Sequence, residues 1–207
     1  MLRFLFVVFI FFSSAAQAEQ SLLVFGDSLS AGYGIRSDEA WPRLLAQRLT
    51  AQGYPYTVVN ASISGETSGG GASRLPAALA RFKPAIVIIE LGANDGLRGL
   101  PLTQLRDNLA AMIRMSRAAG AKVLLVGIEL PPNYGSDYTR SFAAVYADLG
   151  RRQRVALLPF LFEGMGTERD AFQADGLHPT ASAQPRLLDN VWRSLAPLLG
   201  KSRTAAP

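Results

Sequence analysis

Five short apolar runs, each separated from the next by a longer stretch of mostly helical periodicity, constrain this chain more than any other feature of its sequence. They are Ser21 to Phe25 (SLLVF), Thr57 to Asn60 (TVVN), Ala85 to Leu91 (AIVIIEL), Lys122 to Ile128 (KVLLVGI) and Val155 to Leu158 (VALL). Each is rich in Val, Ile or Leu and apolar at consecutive positions, the pattern of strands buried on both faces of a parallel sheet. The segments between them place apolar residues three and four apart. Asp38 to Gln52 sets Trp41, Leu44, Leu45 and Leu49 on one face and stops at Gly53. Thr103 to Ala119 repeats the design with Leu105, Leu109, Met112 and Ile113, and stops at Gly120. Ser73 to Phe82 with Pro76 in its first turns, Ser136 to Gln153, and Thr180 to Leu199 strained by Pro185 and Pro197 complete the expected helices. Alternating strands and helices predict an α/β protein, with a five-stranded parallel sheet between helices on both faces, in three α/β/α layers. At 207 residues, 49% hydrophobic and 18% charged, the chain suits one such domain.

The first eighteen residues stand apart. Arg3 gives a positive start, Phe4 to Phe12 is unbroken apolar sequence, and Ala16-Gln17-Ala18 is a small-x-small cleavage site. That order is a secretory signal peptide, and the run is too short for the ~20 residues that span a bilayer. The expected organisation is a signal peptide over 1–18, one domain over 19–200, and a frayed tail over 201–207. The expected product is exported, and periplasmic or secreted. Losing Arg3 leaves 20 basic and 16 acidic residues, a net +4, with the basic residues scattered. No dense run tracks a phosphate backbone, so nucleic acid is not an expected partner, whereas weak attraction to anionic lipid surfaces is. The absence of cysteine excludes disulfides, thiolate catalysis and cysteine-bound metals.

Ligands of open parallel sheets bind beyond the carboxyl ends of the strands, and four segments with chemistry follow strands here. Gly26-Asp27-Ser28-Leu29-Ser30 follows the first and offers Ser28 as a nucleophile, although Asp27 and Ser28 equally suit a helix cap. The position two after Ser28 is Ser30, so this is not the G-x-S-x-G elbow of α/β-hydrolases. Asn60 to Thr67 follows the second strand, and Gly65 either offers an unobstructed N–H to an oxyanion or is an ordinary turn glycine. Gly92 to Gly96 follows the third, where Asn94 is either a carboxamide donor or part of an Asn-Asp-Gly turn. Asp175-Gly176-Leu177-His178-Pro179 holds the only histidine of the chain. Its spacing lets the Asp175 carboxylate fold back onto Nδ1–H and leave Nε2 free as a base, while Pro179 keeps His178 extended. Ser, His and Asp together are the minimum kit for acyl transfer through a covalent intermediate.

The same four segments, in order and over nearly the whole mature chain, resemble the four sequence blocks of the GDSL, or SGNH, hydrolase family. These are GDS near the start, a lone glycine, G-x-N-D, and D-x-x-H-P near the end. VVNASISGET, ELGANDGLRG, LPPNYG and DGLHP followed by AQP are similar to the small periplasmic subgroup described as arylesterase, lysophospholipase and acyl-CoA thioesterase. Ala93 departs from the glycine many members carry. The resemblance implies a flavodoxin-like SGNH hydrolase fold and a serine hydrolase of esters or thioesters. Ser28, Asp175 and His178 are then catalytic, and Ser28, Gly65 and Asn94 form an oxyanion hole. It implies no metal or organic cofactor, and a monomer acting on a small acyl ester or thioester.

Other classes fit less well. A nucleotide-binding or non-catalytic flavodoxin-like protein could share the sheet, but Gly200-Lys201-Ser202 lacks the upstream glycine of a P-loop, Leu195 standing there instead. Asp95, Asp175 and His178 make a poor metal set with one histidine. A carbohydrate acetylesterase would use the same triad; Leu130 to Gly135, with Phe160, Leu161, Phe162 and Met165, either line an apolar groove that favours acyl chains or belong to the core.

Overall fold

The computed structural model describes residues 19–166 and 168–202. The expected leader, 1–18, and the end of the expected tail, 203–207, lie outside the described residues. Five strands form one parallel sheet: β1 (Gln20–Gly26), β2 (Tyr56–Asn60), β3 (Ile86–Glu90), β4 (Lys122–Val126) and β5 (Ala156–Leu158), ordered β2-β1-β3-β4-β5. In the centre Leu23 lies beside Val87, which lies beside Val123. Leu22 to Phe25 and Ile86 to Ile89 are wholly buried, as unbroken apolar runs require.

Among the described residues six α-helices connect the strands, α1 (Ser28–Ala31), α2 (Trp41–Ala51), α3 (Ser68–Phe82), α4 (Ala93–Leu97), α5 (Leu102–Ala118) and α6 (Ser136–Gln153), and a seventh, α7 (Gln184–Leu195), follows β5. Helices α2 and α7 pack together in one layer, and α5 packs between α3 and α6 in the other. The crossover from β1 through α2 leads outward to β2, and the next returns over β1 to β3. Right-handed crossovers running in opposite directions along a sheet must use opposite faces. Strand order thus reverses beside β1, and the loops after β1 and β3 part at its carboxyl end.

Helix α2 starts at Trp41 rather than Asp38, the short helices α1 and α4 were not expected, and α3 and the last helix differ further from the sequence expectation. Helix α3 starts at Ser68 rather than Ser73, so Pro76 lies in its interior. Thr67 caps it by accepting the Gly70 N–H at 3.2 Å. The Gly69-Gly70-Gly71 triplet, which disfavours a helix on propensity, is helical here, and packing requires glycine at its end: a Cβ at Gly71 would stand 2.4 Å from Leu91 Cδ1. The last helix is shorter than expected, and its prolines strain nothing. Pro185 sits in the first turn of α7, where its missing N–H has no partner to lose, and Pro197 falls in the closing 3₁₀ turn Ala196–Leu198.

Candidate active site

Strand β1 runs straight into the first candidate residues. Gly26 ends it against Glu90, the last residue of β3; a Cβ on Gly26 would lie 2.7 Å from Glu90 Oε2 and 2.8 Å from the Glu90 carbonyl oxygen. The chain then turns into the single turn of α1. The Asp27 side chain accepts the Leu29 N–H at 3.0 Å, and Gly32 closes the turn with φ 78°. Three ties, from β3, from β2 and from the loop after β2, fix this turn. Ser30 Oγ donates to Glu90 Oε2 (2.6 Å), Asn60 Nδ2 donates to the Ser30 carbonyl (2.8 Å), and the Gly26 N–H donates to Ser62 Oγ (3.0 Å). The cap and the nucleophile readings of this segment therefore fall on different residues: Asp27 caps, and Ser28 Oγ faces the rim.

His178 meets Ser28 there, 150 residues away in sequence, with Nε2 2.9 Å from Oγ. Its Nδ1 lies 2.7 Å from Asp175 Oδ2. The turn that carries both is self-contained. Asp175 Oδ1 accepts the N–H groups of Leu177 (2.9 Å) and His178 (3.0 Å), Gly176 adopts φ 69°, and the Gln173 N–H returns to the His178 carbonyl at 2.8 Å. Partial burial pushes the Asp175 carboxyl up, but those two N–H groups and the imidazole outweigh it and bring it down to about 2. Asp175 therefore stays anionic through the neutral range. The Tyr33 ring lies against the imidazole, with centroids 4.5 Å apart, and Gln173 Nε2 holds the Tyr33 backbone by its carbonyl at 2.8 Å.

Gly65 and Asn94 complete the rim. Gly65 has φ 80°, a left-handed conformation that glycine adopts freely, and Arg98 Nη2 donates to its carbonyl at 3.0 Å. Asn94 lies in α4, whose start takes up its unusual backbone at Gly92 (φ 125°), so Ala93 needs only ordinary helical geometry. Asn94 Nδ2 donates to Asp27 Oδ2 at 3.1 Å. Its neighbour Asp95 points inward, where both carboxylate oxygens are occupied by the Ser68 N–H (2.7 Å) and hydroxyl (2.5 Å). All five expected site residues thus line one cleft of about 970 Å³. Its apolar wall includes Leu130, Pro131, Phe160, Phe162 and Phe172. Leu161 and Met165, expected in that groove, are fully buried in the core instead.

The sequence reading missed the polar layer beneath the rim. Asp27 and Glu90 are both wholly buried. Burial pushes the Asp27 carboxyl up to about 6 against the opposing pull of the Leu29 and Asn94 hydrogen bonds. Burial also raises Glu90 well above the usual carboxylate range, and the nearby Asp27 adds to the rise. One signal was available for Glu90: it is the sole charged residue in the run AIVIIEL, and a charge inside a buried strand is a polar site by default.

A parallel five-stranded sheet carrying Ser28, His178 and Asp175 in hydrogen-bond sequence at its carboxyl rim is the architecture of an acyl hydrolase. The sequence pattern of the GDSL-like Lipase/Acylhydrolase family matches residues 24–184, and the chain belongs to that family. It is 57% identical over 182 residues to "Esterase TesA" of Pseudomonas aeruginosa, covering 88% of this chain and 90% of that protein. It is 43% identical over 198 residues to "Thioesterase 1/protease 1/lysophospholipase L1" of Escherichia coli strain K12, covering 96% and 93%. The crystal structure of TesA superposes with a TM-score of 0.85 at 57% identity, over 87% of this chain and all of that one. The chain is accordingly an enzyme that hydrolyses ester bonds.

The buried carboxyl at Glu90 has a measurable signature. A raised folded-state pKa means that the fold holds a proton which the unfolded chain releases. Stability should therefore fall as pH rises above the ordinary glutamate value of ~4.3. In Glu90→Gln this loss should shrink, so the variant gains on the wild type between pH 4.5 and pH 8 in urea melts. Parallel stability curves for the two proteins would contradict the assignment.

Proposed function

We propose that this enzyme cleaves carboxylic esters and acyl thioesters through an acyl-enzyme on Ser28. The observation that carries the reading is the continuous line from Ser28 Oγ to His178 Nε2 (2.9 Å) and from His178 Nδ1 to Asp175 Oδ2 (2.7 Å). As Oγ attacks the acyl carbon, Nε2 takes its proton; Asp175 holds the tautomer that permits this and stabilises the imidazolium. The carbonyl oxygen gains negative charge and is met by the backbone N–H groups of Ser28 and Gly65 and by Asn94 Nδ2. Among the described residues no group accepts from the Gly65 N–H, which suits a donor kept for substrate. His178 then protonates the leaving alcohol or thiol. Water, deprotonated by the same imidazole, releases the acid and restores Ser28. Every proton in the cycle moves through one ring, and the chain's own groups supply each step.

The apolar wall of the cleft supports acyl chains over acetylated sugars, and the thioesterase named among the relatives supports thioesters. Ser28→Ala should lower kcat at least about 10³-fold on nitrophenyl esters and on acyl-CoA alike, with folding retained. Asp175→Asn should cost up to about 10⁴-fold, because the ring would present the wrong nitrogen to Ser28. Full turnover by the alanine variant on either substrate would remove Ser28 from that reaction.

The leader motif supports export to the periplasm, with residues 19–200 as the mature domain. The mass of the protein recovered from a periplasmic extract should fit a start near Glu19; a mass retaining Met1 to Ala18 would contradict export with cleavage. Contact with lipid surfaces is supported by the mouth of the cleft. Among the described residues the exposed large apolar side chains are Tyr33, Ile63 and Tyr134. Tyr33 lines the cleft, Ile63 precedes the lining residue Ser64, and the Tyr134 hydroxyl donates to the carbonyl of the lining residue Leu97. Aromatic side chains with a polar tip suit a water–lipid boundary. Ile63→Ser combined with Tyr134→Ser should slow hydrolysis of a micellar lysophospholipid several-fold and leave a soluble acetate ester unaffected. Equal effects on both substrates would show that the rim does not act at a lipid surface.

A further inference from the structure

Asp27 is more than its position as a helix cap requires. It caps a helix of four residues, a task that Ser, Thr or Asn performs as well without a charge. Instead the chain buries a carboxyl completely, close enough to the second buried carboxyl of Glu90 to oppose its ionisation. An arrangement this costly points to something that only a carboxylate supplies at this position. A carboxylate accepts at both oxygens and donates at neither. Asp27 uses both: Oδ1 receives the Leu29 N–H at 3.0 Å, and Oδ2 receives Asn94 Nδ2 at 3.1 Å.

We propose that Asp27 is a positioning residue for the reaction, whose carboxylate draws in one N–H of the Asn94 carboxamide and thereby turns the other toward the oxyanion. The proposal rests on the reading of Asn94 as an oxyanion donor. A carboxamide has an accepting and a donating end of nearly equal shape, so packing alone does not decide which faces the substrate. An acceptor-only partner does. With Oδ2 beside it, the nitrogen is the end that lies inward, and the second N–H of that same nitrogen is the one left for substrate. The α4 backbone that carries Asn94 is anchored separately, through Asp95 on Ser68, so Asp27 governs the orientation of the amide rather than the placement of its backbone.

Asp27→Asn separates orientation from capping. Asparagine caps helices as well as aspartate, but it has one accepting oxygen for two donors. If that oxygen keeps the Leu29 N–H, its own NH₂ faces Asn94, and the Asn94 amide turns over to present oxygen to the oxyanion. The variant also removes a negative charge near the oxyanion, which by itself would raise the rate. The sign of the effect therefore distinguishes orientation from charge.

The experiment measures kcat and KM on a soluble short-chain ester for wild type, Asp27→Asn, Asn94→Ala and the double variant, with Asp27→Ser as a second cap-competent replacement. Thermal melts establish that each is folded. Asn94→Ala should lower kcat about 10²- to 10³-fold. Asp27→Asn and Asp27→Ser should each lower kcat about 10²-fold with KM within about threefold, and the double variant should be no slower than Asn94→Ala alone. A purely structural Asp27 would instead slow Asn94→Ala by a further factor equal to its own single effect. That multiplication, or an Asp27→Asn enzyme as fast as wild type or faster, overturns the proposal while leaving Asn94 in place. Unchanged kcat in Asn94→Ala would remove Asn94 from the oxyanion hole, and the role of Asp27 with it.

Discussion

Burying both faces of β1 and β3 is the constraint from which the rest of the molecule follows. A strand covered on both sides has no place for a polar side chain along its length, because each such group would need a partner that the apolar layers cannot offer. The chain's chemistry is pushed to where strands end and loops begin. Parallel strands end together, so segments far apart in sequence are delivered to one rim: residues 26–30 from β1, 60–67 from β2 and 92–96 from β3. Gly26 and Glu90 lie side by side at that boundary, and their approach is so close that the glycine has no room for a side chain.

Just beneath the rim the fold carries a second layer of polar groups that touch no substrate cleft of their own. Glu90, Asn60 and Ser62 tie down the turn that carries Ser28, each from a different point on β2, β3 or the loop beyond. Asp95 fastens α4 to the start of α3. Such buried ties are directional, unlike apolar packing, and a group held by several of them has one geometry rather than many. Their cost appears as the raised carboxyls of Asp27 and Glu90. Groups intended for attack and for charge stabilisation need this kind of support, because small displacements at the reacting atoms cost large factors in rate.

The two halves of the proposed triad are built on different physical terms. Asp175 and His178 lie within one short turn whose internal hydrogen bonds orient the imidazole locally. Ser28 stands 150 residues away, and its distance from that imidazole depends on the whole domain between them. The Tyr33 ring bridges the halves: it belongs to the loop after α1, packs on His178, and is held through its backbone by Gln173 at the base of the histidine turn.

Most of the α/β alternation, the four blocks and the Asp175–His178 pairing were legible from residue order alone. Each depends on neighbours within a few positions: consecutive apolar residues, a capped turn, a carboxylate three residues from an imidazole. Helix α3 was misread at its start for the same reason, since Gly69 to Gly71 weaken a helix locally, and the close approach of Gly71 to Leu91 just beyond β3, which calls for glycine there, exists only in the folded chain. The prolines of the last helix were misjudged because the true ends of α7 are set by packing, which leaves Pro185 in the first turn and Pro197 beyond it. The sequence by itself determined that β1 and β3 are buried, which segments follow the strands, and how the histidine turn is wired, whereas β2 and β5, read as buried too, lie partly exposed at the edges of the sheet. Only the tertiary structure decided that Asp27 reaches Asn94, that Glu90 lies under Gly26, and that Met165 belongs to the core rather than the cleft. Those contacts join residues brought together by strand order, and the free energy that fixes strand order is the summed burial of the sheet, a quantity that no single stretch of sequence contains.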